Sequence, residues 1–396
     1  MTMHILAISH PAVAPAYRRK FELIARIARE EGIVLRVIVP EAWPEENRRV
    51  FARCEPLPEW VSPLPIVWEG YYARYFYRGS EWGRIWRSFR PDLVHLEEEP
   101  YSLCAGQTWW AIRRWVPEAR FLFRTSISRP IRLRWFGRAP ARWVQARVFR
   151  RADGAFVLSK SAGELLRAQG FRGPTHVLPN GVDTRIFRPL EPERTAALRE
   201  KLGVPEGVFL LGYVGRLIRE KGVDFLLQAA AQASGVWLLV VGDGPLRKEL
   251  GELAERSKIA DRVRFLGAQP PEQVAELMNA MDALVLPSRS TPTWVEFFGR
   301  VLAEAMACGT PVIGSSCGEI PTTVGDAGLI FPEGDLDALL DCIHRLRGDP
   351  HLYALLRLRG LQRVRELYAW EAIARRTVIV YRELLAKTDR SKALPS

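Results

Sequence analysis

The chain has 396 residues, 48% hydrophobic and 26% charged, a balance that excludes a disordered or fibrous polypeptide and suffices for two domains with sizeable cores. No apolar run reaches the roughly 18 residues needed to span a bilayer, and the five cysteines (54, 104, 308, 317 and 342) hold no C-x-x-C pair, which argues against a zinc site and for a reduced, cytosolic setting. The net charge of +12 is uneven: residues 1–190 carry 31 Lys and Arg against 18 Asp and Glu, whereas 191–396 carry 26 against 27.

The start, MTMHILAIS, lacks a basic lead and a small-residue cleavage site, so 4–8 reads as a first strand rather than a signal peptide. Further strands are expected at 35–39, 93–96, 121–123 and 155–158 with helical runs between most of them, a βα alternation that argues for a parallel sheet. Polar residues cluster where these strands end: His10 after the first, His95 with Glu97, Glu98 and Glu99 at the third, and Arg124 and Ser126 after the fourth. Glu97 reads best as solvent-facing loop charge, and the others are candidates for contact with a ligand. Ten of the 13 tryptophans lie in this half, and the segments 71–90 and 129–151 interleave them with cations. Such segments can stack on nucleic acid, seat a protein on an anionic membrane, or build an ordinary helical surface in a chain with 49 Arg and eight Lys. Membrane is favoured over nucleic acid.

A linker is expected near 183–195, where DTRIFRPLEPER is rich in proline and charge. Beyond it, strands are expected at 209–214, 236–241, 263–266, 283–286 and 312–313. In LGYVGRLIREKGVDFLLQAA the first of these runs into a turn at Gly215 and a helix from Val223, so Arg216 and Lys221 fall in the loop at a strand's carboxyl end, where open α/β sheets bind ligands. Two cations there suit a diphosphate. In EFFGRVLAEAMACGTPVIGS, Val301, Leu302, Ala305 and Met306 give a helical period that stops at Gly309 ahead of Pro311. Glu296 precedes that helix, Glu304 lies within its first two turns, and the entry at Phe298 and Gly299 presents unpaired N–H groups and the positive dipole end to an anion. Either carboxylate alone reads better as dipole chemistry or solvated surface than as a ligand contact, and the neighbouring Arg216–Lys221 loop reverses that. The loop SRSTPTWVE ahead of Glu296 is read either as a lid or as a rigid surface loop.

Three motif-like strings are set aside. GDGPLR at 242–247 has Arg247 where a dinucleotide loop needs its third glycine, so NAD is not expected. Asp335 and Asp337 open a helix, where capping explains them better than a metal. GSSCG at 314–318 matches a nucleophile elbow at Ser316, with Asp335 and His344 in suitable chain order, yet no convincing helix follows it.

The strings LPNGVD at 178–183, VGRLIREKG at 214–222, VVGDGP at 240–245, FLG at 265–267 and EFFGRVLAEAMACGTPVIGS at 296–315, in this order and spacing, resemble the family-4 retaining glycosyltransferases. The resemblance implies the α/β GT-B fold, two Rossmann-like domains facing across a cleft. Residues 1–188 would bind the acceptor, completed by 371–396 through a C-terminal helix that crosses back, and 189–370 would bind the nucleotide sugar. It implies retaining, metal-independent transfer of a hexosyl group from a nucleoside diphosphate sugar (UDP or GDP) to a glycan or lipid-linked acceptor in cell-surface polysaccharide or glycolipid synthesis. No cofactor is implied, and the place of work is the cytoplasm or the inner face of the cell membrane.

Residue by residue, Arg216 and Lys221 would hold the diphosphate, Glu296 would touch the transferred sugar and Glu304 the ribose. Gly215, Gly267, Phe298, Gly299 and Arg300 complete the donor side, and His10, His95, Glu98, Glu99 and Arg124 are the acceptor-side candidates. The chain departs from the pattern at Phe297, where many relatives have glycine, in lacking a glycine-rich loop after the first strand, and in having no histidine near Arg124. The rival readings are a GT-B nucleotide-sugar epimerase, a pyridoxal-phosphate-dependent glycan phosphorylase, and a non-catalytic basic protein that binds membrane or nucleic acid.

Overall fold

The structure, a computed structural model, describes residues 2–45, 48–126 and 135–392, so part of the basic segment at 129–151 lies outside the described residues. The chain divides into two compact units, Met1–Pro179 with Trp370–Ser396, and Asn180–Ala369. The division falls ahead of the expected 188/189 boundary. Val182 explains this: its N–H donates to Tyr368 O at 2.8 Å and it bridges to Ala369, tying the expected linker into the second unit.

The first unit is built on a seven-stranded sheet in the order Thr175–Val177, Gly154–Val157, Arg120–Thr125, Leu93–Leu96, Met3–Ile8, Ile33–Pro40, Val61–Leu64. Every pairing in it is parallel. The order of strands reverses between Met3–Ile8 and Leu93–Leu96, and such a switch point is where a doubly wound sheet opens a crevice for ligand. Alternation along Met3–Ile8 sends Ile5 and Ala7 to one core and Leu6 and Ile8 to another, as the pleat requires. The first core is closed by the helices Pro15–Glu30 and Trp370–Lys392, the latter being the expected C-terminal helix.

The second core absorbs most of the aromatic rings of 71–90. Tyr75, Tyr77, Trp82 and Trp86 are buried, and Tyr77 stacks on Trp82 at 5.1 Å. This segment is therefore a core element with an arginine rim, because its aromatic residues fall on the inward face of the helix Ser80–Phe89 and of the short strand Phe76–Tyr77.

The second unit repeats the plan with six parallel strands in the order Val263–Phe265, Val236–Val241, Phe209–Val214, Ala283–Leu286, Val312–Ser315, Gly328–Phe331. Here the switch point lies between Phe209–Val214 and Ala283–Leu286, so the loops 215–222 and 287–299 are brought side by side. Backbone contacts fix their neighbours: Gly215 N–H donates to Val241 O at 2.9 Å, Leu217 N–H to Asp243 O at 2.8 Å and Gly242 N–H to Gly267 O at 2.7 Å. The glycines of GDGP thus serve close approach, as Gly242 has φ +135° and a Cβ there would meet the Gly215 carbonyl.

That close approach generates a prediction. Gly242→Ala adds backbone strain of about 1–3 kcal/mol and forces the Gly215 loop outward. The melting temperature of the second unit is expected to fall by about 5 °C, at about 2–4 °C per kcal/mol. An unchanged melt would show that the loop has room this packing denies it.

Candidate functional site

The expected donor-side positions on the loops 215–222 and 287–299 converge at the switch point of the second sheet. The strand Phe209–Val214 ends in Gly215, and Tyr213 Oη donates to Arg216 O at 2.8 Å, holding the exposed Arg216 at the loop's mouth. A short 3-10 turn, Arg219–Lys221, follows and is fastened to the neighbouring loop by Arg289 N–H donating to Glu220 O at 2.7 Å. Lys221 Nζ then lies 2.5 Å from Glu296 Oε2, and 5.1 Å from the centre of the Trp294 ring. Ser288 Oγ donates to the same Glu296 oxygen at 3.2 Å. Burial, then the Glu296 carboxylate, raise the Tyr213 hydroxyl's pKa while Arg216 pulls the other way.

Glu296 leads into the helix Arg300–Ala307, capped by Gly299 at φ +70°, a left-handed conformation glycine adopts without penalty. Phe298 turns inward against Tyr368 at 5.3 Å and its carbonyl accepts from Thr323 Oγ1. Phe297, the departure from the family pattern, points its ring outward and is exposed. One turn along, Glu304 Oε1 lies 3.1 Å from Arg300 Nε. Burial raises the Glu304 carboxyl to about 7, with Arg300 opposing. Gly267 contributes its carbonyl to Gly242 rather than a side chain to any ligand.

The loop ahead of Glu296 is tied down. Thr291 and Trp294 bond each other's backbones, and Ser290 donates N–H and Oγ to Glu333 at 2.6 and 2.7 Å. Asp335 caps the helix Leu336–Gly348 by accepting from Ala338 N–H, and Ser316 Oγ accepts from Glu333 N–H, with no histidine paired to it among the described residues.

In the first unit, the carboxyl ends of Met3–Ile8 and Leu93–Leu96 present His10 and Glu98. Glu98 is buried and accepts His10 N–H at 2.8 Å, and its other oxygen lies 2.7 Å from His10 Nδ1, so this carboxylate orients the half-buried ring with Nε2 left over. Glu99 accepts from Thr125 Oγ1 at 2.6 Å and from Ser126 N–H and Oγ, binding the next loop down, and burial raises its pKa. Burial likewise brings Arg124 down to about 10, with Glu99 opposing.

His95 is a correction. It is fully buried, its Nδ1 lies 2.6 Å from Tyr381 Oη, and it packs on Phe156 at 5.2 Å, so it is a core histidine with no surface to offer a ligand. Burial, with Lys20 and Arg124 nearby, lowers its pKa well below the ordinary value. Glu97, read from sequence as solvent-facing, is instead paired with the buried Lys20. Lys20 and Ser288 were not foreseen: Lys20 sits in an unremarkable YRRK run, whereas Ser288, two residues beyond a strand end, carried a usable signal.

Residues 21–186 match the model Glycosyltransferase Family 4, and residues 195–360 match Glycosyl transferases group 1. A D-inositol 3-phosphate glycosyltransferase of Streptomyces avermitilis is 32% identical over 320 residues, 75% of this chain and 67% of that one. The chain belongs to the group 1 glycosyltransferases. A 2-deoxystreptamine N-acetyl-D-glucosaminyltransferase of Streptomyces fradiae is 35% identical over 270 residues, 64% of this chain. The match spans 62% of that relative's own length, and about half of several others. Anabaena Alr3699/HepE, solved in complex with UDP and glucose, superposes with a TM-score of 0.68 at 20% identity, over 96% of this chain and 100% of that one. This likeness gives the fold, GT-B.

The Glu304 geometry yields a sign for pH dependence. A folded pKa of about 7, above the ordinary carboxyl range near 4.3, means the folded glycosyltransferase favours the protonated form. The stability this contributes is full below about pH 4.3 and lost as pH rises through about 7. Glu304→Gln, which mimics the protonated carboxyl, is expected to match the wild type at about pH 4 and exceed it by on the order of 3 kcal/mol at pH 8, at about 1.4 kcal/mol per pKa unit. Equal differences in melting temperature at both pH values would place the carboxyl in water instead.

Proposed function

We propose that this protein transfers a hexosyl group from a nucleoside diphosphate sugar, with UDP or GDP as carrier, to a glycan or lipid-linked acceptor, retaining the anomeric configuration without a required metal. The observation that carries the reading is the Lys221–Glu296 contact of 2.5 Å at the switch point, beside a helix that bears Glu304 one turn in. In this reading Arg216, Lys221 and the N–H groups at Gly299–Arg300 receive the diphosphate. They supply the positive charge that a departing phosphate needs, which is the largest electrostatic demand of the transition state. Glu304 accepts from the two ribose hydroxyls, hydrogen bonds that favour its ionised form against the effect of burial, and Glu296 accepts from sugar hydroxyls while its charge favours the cationic character developing at the anomeric carbon.

The bond from the anomeric carbon to the phosphate oxygen breaks, and the bond to the acceptor oxygen forms on the same face. The acceptor's proton passes to the leaving phosphate. His10, with Nδ1–H committed to Glu98, presents Nε2 to an acceptor hydroxyl and orients it. Support for a lipid-linked acceptor comes from a relative named for a phosphatidylinositol monomannoside. Among the described residues no helix is long and apolar enough to cross a membrane. Work at the cytoplasmic membrane face, in cell-surface polysaccharide or glycolipid synthesis, is part of the proposal.

The test is a thermal-shift and hydrolysis screen against UDP-, GDP- and ADP-sugars. One donor is expected to stabilise the wild type and to lose that effect in Glu304→Ala. With that donor and a working acceptor, Lys221→Ala and Glu296→Gln are each expected to lower kcat by about 10²–10³-fold, the usual cost of removing one group that stabilises transition-state charge. Undiminished transfer by either variant would remove these residues from the chemistry. Conversion of donor without any acceptor would establish the epimerase instead.

A further inference from the structure

At the opposite edge of the first sheet, where its strands begin, lies a hollow of about 270 Å³ lined by Trp109, Arg113, Pro117, Arg147, Arg150 and Arg151. It forms because the helices Leu103–Trp115 and Trp135–Arg151 pack together and both end there, one before the strand Arg120–Thr125 and the other before Gly154–Val157. Four guanidinium groups meet in it, and the lining includes no carboxylate. The acid that approaches, Asp153, is already committed: it accepts from Arg120 Nη1 at 2.8 Å, Arg151 Nη1 at 3.3 Å and Phe121 N–H at 2.9 Å. Arg151 further spends Nη2 on the carbonyls of Pro117 and Ala119.

Of the remaining three, Arg150 donates Nε to Ala146 O at 3.3 Å within its own helix, which leaves its two terminal nitrogens for a ligand. Arg147 lies 5.7 Å from the Trp109 ring and 4.9 Å from Trp143, and Arg113 lies 6.0 Å from Trp109. Stacking of this kind orients a guanidinium without using its N–H groups. Arg147 Nε is buried and has no hydrogen-bond partner among the described residues. The negative dipole ends of two helices offset part of the repulsion among the arginines, but a dipole end accepts few of their N–H groups, whereas an anion with several oxygens accepts many.

We propose that this hollow is a phosphoryl-binding site, distinct from the donor site and from the acceptor-side residues. Its ligand is a phosphate mono- or diester, supplied by a soluble phosphate ester or by an anionic lipid headgroup. The distance from the acceptor side supports a separate role: the strand Arg120–Thr125 separates the two edges by about 17 Å, at about 3.3 Å per residue. The exposed Trp143, edge-on to the lining Trp109 at 5.8 Å, offers a ring suited to a headgroup layer, while the small volume suits a single phosphoryl group from either source.

The experiment uses the full chain with Lys221→Ala in every variant compared, which weakens phosphate binding at the donor site and holds what remains of it constant. Arg113→Gln with Arg150→Gln, two exposed positions that folding does not need, is compared with Arg26→Gln plus Arg29→Gln, a charge-matched pair elsewhere on the first unit. One arm measures thermal stabilisation by inorganic phosphate against chloride at equal ionic strength. The other measures sedimentation with phosphatidylglycerol–phosphatidylcholine vesicles. Loss of the phosphate effect by tenfold or more in apparent affinity, only in the hollow variant, supports a soluble phosphate ester. The same loss in vesicle binding supports a lipid headgroup. No response in either arm, or equal losses in the two variants, overturns the proposal.

Discussion

Lys221 and Glu296 stand 75 residues apart in sequence, and the contact between them obliges separate loops to keep register at one end of the second sheet. Neither charge is well solvated, with side chains 16% and 11% exposed. Truncating one partner of such a pair strands the other in low dielectric, which costs about 3–5 kcal/mol when the pair is buried. Around it the chain is accordingly stitched through backbone: the loop carrying Lys221 bonds to Arg289, and Glu296 O accepts from Glu319 N–H at 2.9 Å. The same pairing leaves an ammonium and a carboxylate adjacent, with further donors on Lys221 and a second oxygen on Glu296 for a ligand. Scaffold and site are here one set of bonds.

The first unit solves a similar problem with the opposite outcome. Lys20 and Glu97 pair inside, burial and Arg124 lower the lysine's pKa well below its ordinary value, and His95 is kept neutral between Tyr381 and the hydrophobic wall. These groups brace the strand ends and the C-terminal helix against one another. What remains near the surface is His10, aimed by Glu98, and the loop at Ser126 held by Glu99. Three successive glutamates thus do three different structural tasks, although each sits at the end of the same strand.

How much of this was legible follows from burial. The interior strands of both sheets are covered on both faces, read as unbroken apolar runs, and were located to within about two residues in each case. The strands that sequence did not show in the two large sheets, Val61–Leu64, Thr175–Val177 and Gly328–Phe331, are all at sheet edges. Edge strands are short and tolerate proline and glycine, here Pro63 and Gly328, so the apolar signal fails there first. On the donor side, Lys221, Glu296 and Glu304 were legible because glycine turns fix them at strand and helix ends. His95 was misplaced for a related reason: a residue inside the last turn of a strand and one just past it look alike in sequence, yet one points into the core.

Charge shows where composition stops informing. The segment 71–90 and the helix Trp135–Arg151 share the same mixture of arginine and aromatic residues, and a count of charges treats them alike. In the first, Arg74, Arg78, Arg84, Arg87 and Arg90 all face water around buried rings, an ordinary amphipathic division. In the second, rings and guanidinium groups share one face, since Trp143 and Arg147 are four residues apart and both meet Trp109 of the neighbouring helix. The helical position of the aromatic residues relative to the arginines decides whether cations end as a solvated rim or as a convergent set. A positive net charge is therefore a statement about the unit's field. Only the register of side chains on a packed helix pair turns part of that field into a place where one anion can be held.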